Sequence, residues 1–155
     1  RPDVMTLAKA LANGLPAGAL LASGTAAEAL APGDHGSTFG GGPVIAAAAL
    51  ATFGALQSEA LDENAAHIGE VLQASLRAFG TRTGRIVEVR GRGLMVGAEL
   101  AESNAQQIAA ALLEHGVVAG AVGERILRFL PPLVAGEAEV SRLTDTLDAV
   151  LGAAS

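Results

Sequence analysis

Pro2-Asp3-Val4-Met5-Thr6-Leu7-Ala8-Lys9-Ala10-Leu11 is the stretch on which the reading of this chain turns. The short apolar run from Val4 to Ala8, opened by Pro-Asp, predicts a buried strand. It delivers Lys9, the only lysine among the 155 residues. A lysine at the edge of a buried strand is partly desolvated, which frees its amine to attack a carbonyl, as Schiff-base chemistry requires. The competing reading is an ordinary lysine at a strand end, snorkelling to water.

Downstream, Asn13-Gly14-Leu15-Pro16 is a turn, and Ala17 to Ala22 predicts a second buried strand. Thr25 to Leu30 predicts a short helix ended by Pro32-Gly33. The loop His35-Gly36-Ser37-Thr38-Phe39-Gly40-Gly41-Gly42 then meets Pro43, which suits a first helical turn, and the helix should run to about Ser58. Glycine N–H groups, the Ser37 and Thr38 hydroxyls and a helix N-terminus together suit a phosphate. A flexible helix lead-in is the plainer alternative, since no Walker pattern is present.

Leu61, Ala65, Ile68, Leu72, Leu76 and Phe79 form one apolar stripe of a second helix, with Gly80 as its expected stop. From Arg85 the pattern changes. Ile86–Val89 and Leu94–Leu100 read as strands around Arg90-Gly91-Arg92-Gly93. Ser103 with Gln106 reads as a capping box, opening a helix with Ala105, Ile108, Ala109 and Leu112 inside and Gly116 at its end. Val117–Val122 and Ile126–Leu130 read as strands, and Val140, Leu143, Leu147, Val150 and Leu151 stripe a last helix. The chain therefore divides near residues 58–80: an end of one domain over 1–58, a connecting helix over 59–80 and a small α/β domain over 81–155.

Arg128 lies in the otherwise apolar Ile126-Leu127-Arg128-Phe129-Leu130-Pro131-Pro132-Leu133. A buried guanidinium needs a partner, and a substrate carboxylate suits its fork. A structural ion pair with a glutamate, or an edge strand turning Arg128 to water, serves equally. Gly91, Gly93 and Gly97 mimic a dinucleotide loop, but no strand–turn–helix unit surrounds them, so a bulge or close backbone packing is favoured. Arg90 and Arg92 read as a solvated turn, and Glu99 and Glu102 lack an identifiable carboxylate partner for acid–base work.

Composition narrows the classes. Half the residues are apolar but only 3% are aromatic, so the core must be built from Ala, Leu, Val and Ile. A net charge of −6 argues against nucleic acid and anionic membrane as main partners. There is no cysteine, and His35, His67 and His115 lack ligand spacing, so no metal is expected. The longest apolar stretch, Pro43 to Leu56, is too short to span a bilayer. With no signal-peptide pattern, the expected compartment is the cytoplasm. The absent starting Met suggests a chain that begins mid-protein.

These pieces, in this order, resemble the class III aminotransferases that depend on pyridoxal 5'-phosphate (PLP). Residues 2–11 with Gly14-Leu15-Pro16-Ala17-Gly18-Ala19 resemble the family's Schiff-base segment, and His35 to Pro43 its second signature. Arg90-Gly91-Arg92-Gly93-Leu94-Met95 and Arg128-Phe129-Leu130-Pro131-Pro132-Leu133 resemble its C-terminal domain, the latter most like the acetylornithine-specific members. The resemblance covers essentially the whole chain. It implies an α/β fold of type I, here the end of the large domain plus the small C-terminal α/β domain, in an obligate homodimer. It further implies that Lys9 carries PLP and moves the substrate proton, and that Thr38, beside Ser37, binds the cofactor phosphate in the partner subunit's active site. Arg128 would grip a substrate carboxylate. The implied reaction exchanges an amino group between N-acetylornithine and 2-oxoglutarate, a step in arginine biosynthesis.

Two departures stand out. Gly42 replaces the family's usual asparagine. The family's upstream phosphate turn, ring-stacking aromatic and pyridine-pairing aspartate have no counterpart here, so the chain alone is expected to be weak or inert. Ornithine, succinylornithine and 4-aminobutyrate aminotransferases are alternatives within the class. A non-catalytic module formed by residues 80–155 is the alternative outside it.

Overall fold

A computed structural model describes residues 1–152 and divides the chain into two compact units, Arg1–Glu59 and Ala60 onward.

The first unit holds a two-stranded antiparallel ribbon, β1 (Val4–Leu7) and β2 (Ala19–Ala22), in the register Val4↔Ala22 to Leu7↔Ala19. The Ser23 N–H closes it by donating to the Asp3 carbonyl at 2.9 Å. Both strands were expected to be buried, yet they are almost wholly exposed, with Val4, Met5, Leu20 and Leu21 all open to solvent. Two strands alone cannot cover their own faces. The predicted helix at Thr25–Leu30 is only one 3-10 turn, Gly24–Ala26. Helix α1 (Pro43–Ser58) opens with proline in its first turn, as read from the sequence. It has no buried residue.

The second unit is a four-stranded antiparallel sheet covered on one face by helices. Its elements are α2 (Leu61–Thr83), β3 (Ile86–Arg92), β4 (Met95–Leu100), α3 (Ala105–Glu114), β5 (Gly120–Val122), β6 (Ile126–Phe129) and α4 (Glu137–Leu151), with strand order β3-β4-β6-β5. Alternation decides the faces: Val96, Ala98, Leu100, Leu127 and Phe129 point into the core, while Met95, Gly97, Glu99 and Arg128 point to the opposite face. The α2 stripe Ile68, Leu72, Leu76 and Phe79 joins Leu112 of α3 and Val140, Leu143, Leu147 and Leu151 of α4 in one core cluster. Each fully buried leucine contributes about 1.5–3 kcal/mol relative to exposure. The helix over 59–80, read as a connector, is integral to this unit.

Several local expectations are corrected. Helix α2 does not stop at Gly80; Gly80 is buried inside it, where a Cβ would collide with the Ile86 backbone. The stop is Gly84, in left-handed backbone at φ 70°. Ser103 makes no capping box, because its hydroxyl accepts from Arg125 Nε at 3.2 Å and the N-cap falls to Asn104. The strand read from Val117 begins at Gly120, since the Val117 N–H is taken by the Leu112 carbonyl behind α3. Arg90 and Arg92 belong to β3, and the turn lies beyond them at Gly93, φ 52°.

Helix α4 carries a pH-sensitive start. The Gly136 N–H donates to Glu139 Oε2 at 2.8 Å. That bond, with the Glu139 backbone N–H, holds the Glu139 carboxyl below the usual carboxylate range. A lowered folded pKa gives stability that is present above the unfolded value, about 4.3, and is lost as pH falls through the folded one. Glu139→Gln keeps an acceptor without a titrating charge. Its melting temperature should therefore fall less steeply with acid below about pH 4.3 than that of the wild type. Equal acid slopes would refute this.

Candidate active-site residues

Lys9 follows β1 directly. Its backbone is left-handed, φ 59°, and its side chain is exposed rather than tucked against a strand. The desolvated setting expected from the sequence is therefore absent in this unit, because nothing covers the ribbon. Its amine makes no ion pair among the described residues. Beyond it the chain reverses through an Ala12↔Leu15 bridge, with Asn13 and Gly14 at positive φ.

Ser37 and Thr38 lie in the loop ahead of α1, both exposed. Ser37 curls over Gly40, where an added Cβ would come 2.9 Å from the Ser37 Cβ, and Gly41 takes φ 69°. Glycine at 40 and 41 is thus required by the turn itself. Neither hydroxyl is engaged by another described side chain. No hydrogen bond links Lys9 to Ser37 or Thr38 among the described residues; taken separately, a primary amine suits a carbonyl, and hydroxyls at a glycine-rich helix lead-in suit a phosphate.

Arg128 lies in the second unit, on β6 between β4 and β5. It is opposite Gly97 on one side and Gly120 on the other. Its guanidinium passes over Gly120, 3.5 Å from where a Cβ would stand. The alternatives divide: Arg128 pairs with no carboxylate among the described residues and β6 is an interior strand, yet the side chain is exposed on the sheet face, so it is turned to water as the last alternative had it and is not a buried charge in need of a partner.

Sequence reasoning missed the neighbouring cluster on the same sheet face. Arg90 Nη1 lies 3.0 Å from Glu88 Oε2 and 3.0 Å from Glu99 Oε2. The hydrogen bonds that Arg90 donates to Glu99 and then Glu88 push its guanidinium pKa up, so it stays charged. Glu88 and Arg90 sit two apart on β3, and Glu99 is on the adjacent strand. The period-2 alternation was the signal available for this grouping. Glu102 likewise pairs with Arg85 at 2.8 Å. Two of the histidines have separate neighbours: His67 Nε2 is 4.0 Å from Glu137 Oε1, and His115 bonds the Ala111 carbonyl through Nδ1. Among the described residues no group of three His, Cys, Asp or Glu side chains could hold a metal ion. Among the described residues no single helix is long and apolar enough to cross a membrane.

Comparison with known proteins gives these residues a context. The family model for aminotransferase class-III matches residues 1–151. Acetylornithine aminotransferase 1 of Bordetella bronchiseptica is 46% identical over 147 residues, covering 95% of this chain and 37% of that protein. The acetylornithine aminotransferase of Methanocaldococcus jannaschii is 40% identical over 149 residues, 96% of this chain and 37% of its own length. Among solved structures, the acetylornithine aminotransferase from Elizabethkingia anophelis superposes with TM-score 0.90 at 32% identity, over 97% of this chain and 41% of that one. The ornithine delta-aminotransferase of Plasmodium falciparum gives 0.89 at 31%, over 98% and 40%. The chain thus spans about 37% of the length of the curated relatives it matches. With a family model matched along nearly its whole length and a fold shared with solved aminotransferases, the chain belongs to the class-III aminotransferase family.

Proposed function

We propose that this chain is the C-terminal portion of an acetylornithine-type aminotransferase, which moves an amino group between N-acetylornithine and 2-oxoglutarate in arginine biosynthesis. The observation that carries the reading is the placement of the sole lysine, unpaired and accessible, directly after β1 in a chain matched by the family from residue 1 to 151.

The cofactor would be PLP, which when bound supplies an electron sink for the carbanion formed at the substrate carbon. Lys9 would hold it through its amine and, once displaced by the substrate amine, would move the proton on Nζ between the substrate carbon and the cofactor. Ser37 and Thr38 would donate hydroxyl hydrogen bonds to its phosphate, with Thr38 serving the partner's site in a homodimer. Arg128 would orient the substrate by holding a carboxylate in its fork. A cytoplasmic setting suits this chemistry.

The test uses the chain's single lysine. We expect borohydride to trap a pyridoxyl group on Lys9 after incubation with PLP, with labelling at the α-amino group as the internal control. The chain alone should convert no measurable N-acetylornithine. Lys9→Arg should lose the side-chain label completely. Labelling confined to the N-terminal amine would refute the assignment of Lys9. A chain that instead transaminates by itself would show that residues outside it are dispensable.

A further inference from the structure

Two arginines on the open face of the second unit's sheet stand directly opposite the same residue, Gly97 of β4: Arg90 from β3 and Arg128 from β6. Glu99 lies two residues further along β4, opposite Glu88 on one side and Ile126 on the other. It therefore stands in the same diagonal relation to both arginines, a relation that long side chains can bridge. Only one of the two contacts is made. Arg90 Nη1 donates to Glu99 Oε2 at 3.0 Å and lies 3.0 Å from Glu88 Oε2. Arg128 pairs with no carboxylate among the described residues. Its guanidinium leans away from β4, over Gly120 of β5, with Nε 3.5 Å and Nη2 3.6 Å from where a Cβ would stand.

The register gives a reason for the choice. Glu88 and Glu99 are directly opposite each other, and like charges so placed repel. A cation on β3 can serve both at once, whereas Arg128, on the far side of β4, faces only Glu99. Arg90 therefore wins Glu99 by joining it to Glu88, and Arg128 is left over. Glu139, the one carboxylate that lines a cavity with Arg128, is engaged too, by the Gly136 N–H at 2.8 Å.

From this we infer that Arg90 is a positioning residue: by holding Glu99 toward β3 it keeps the Arg128 fork free of its own sheet's carboxylates and open to that of a 2-oxo acid or amino acid. The ligand half rests on the reading of Arg128 as the carboxylate-gripping residue; the Glu99 half stands without it. An Arg90 with a merely structural role would offset the Glu88–Glu99 repulsion and leave Arg128 unaffected.

The test measures how fast phenylglyoxal, a dicarbonyl that attacks free guanidinium groups, modifies Arg128 in the folded 155-residue chain. Peptide mapping by mass spectrometry reads the rate, with Arg142 of α4 as internal reference and melting followed alongside. The wild type and Glu99→Gln should react alike. Arg90→Gln should slow Arg128 by about two- to fivefold, the protection an exposed ion pair gives, because Glu99 is released to it. Arg90→Gln combined with Glu99→Gln should restore the wild-type rate, and Arg90→Lys, which keeps a cation for Glu99, should retain it. Should Arg90→Gln not fold, Glu88→Gln with Arg90→Gln removes the repulsion and carries the same comparison. An Arg128 rate that Arg90→Gln leaves unchanged, or slows without rescue by Glu99→Gln, overturns the inference whatever happens to melting. Added 2-oxoglutarate should protect Arg128 in the wild type. No protection overturns the carboxylate-gripping reading and the ligand half with it, while the Glu99 comparison is decided in the absence of ligand.

Discussion

Gly69→Ala should destabilise the second unit by about 2 kcal/mol, although alanine is the better helix former. The substitution gains about 1 kcal/mol of helix propensity. Against this, the new Cβ would drive into the Gly93 carbonyl, carbon and Cα. Overpacking costs about 1–3 kcal/mol, and more where the obstacle cannot rotate away. Here the obstacle is backbone at the β3–β4 turn, so the upper end applies. For a unit of this size the melting temperature should drop by roughly 10 °C. Circular dichroism on the variant checks it, and an alanine variant that melts higher than the wild type would show that α2 slides without penalty.

Leu76→Ala should have the larger effect, about 3–4 kcal/mol, because its side chain is 0% exposed and lies in the cluster shared by α2, α4 and the sheet. That is a large share of the 5–15 kcal/mol that holds a typical domain together. Leu113→Ala, on the exposed side of α3 at 60% exposure, is the matched control and should stay within about 0.5 kcal/mol. Urea unfolding separates the two through their midpoints at equal slope. Similar midpoints would mean that the core does not close around Leu76.

The two units were unequally legible in the sequence. Helices announce themselves through long periodic stripes. Ile68, Leu72, Leu76 and Phe79 therefore fixed α2, and Val140, Leu143 and Leu147 fixed α4. Glycine punctuation was read less well, because Gly80 and Gly84 look alike as letters. Only the approach of Ile86 distinguishes a glycine needed for packing from one needed for its left-handed turn. Ser103 failed as a capping residue for a similar reason: a distant Arg125 outbid the local backbone. In the first unit an apolar run reads the same whether a strand is covered or bare, so Val4–Leu7 gave the strand but not its exposure. Lys9, Ser37, Thr38 and Arg128 stood out singly as letters against their surroundings. The Arg90–Glu88–Glu99 cluster and the place of Gly97 needed strand register, which no single stretch of sequence carries.

The interior position of β6 has a further consequence, in the time domain. Arg128 sits on a strand that is paired along both edges. Its amide should be among the slowest in the chain to exchange with deuterium, opening only when the whole second unit unfolds. The guanidinium at the end of the same residue is exposed and reorients in picoseconds to nanoseconds, as surface side chains do. One residue thus joins a nearly immobile anchor to a fast-moving guanidinium. In the proposed role, holding a carboxylate would have to still only a few side-chain torsions, because the main chain was ordered when the sheet formed.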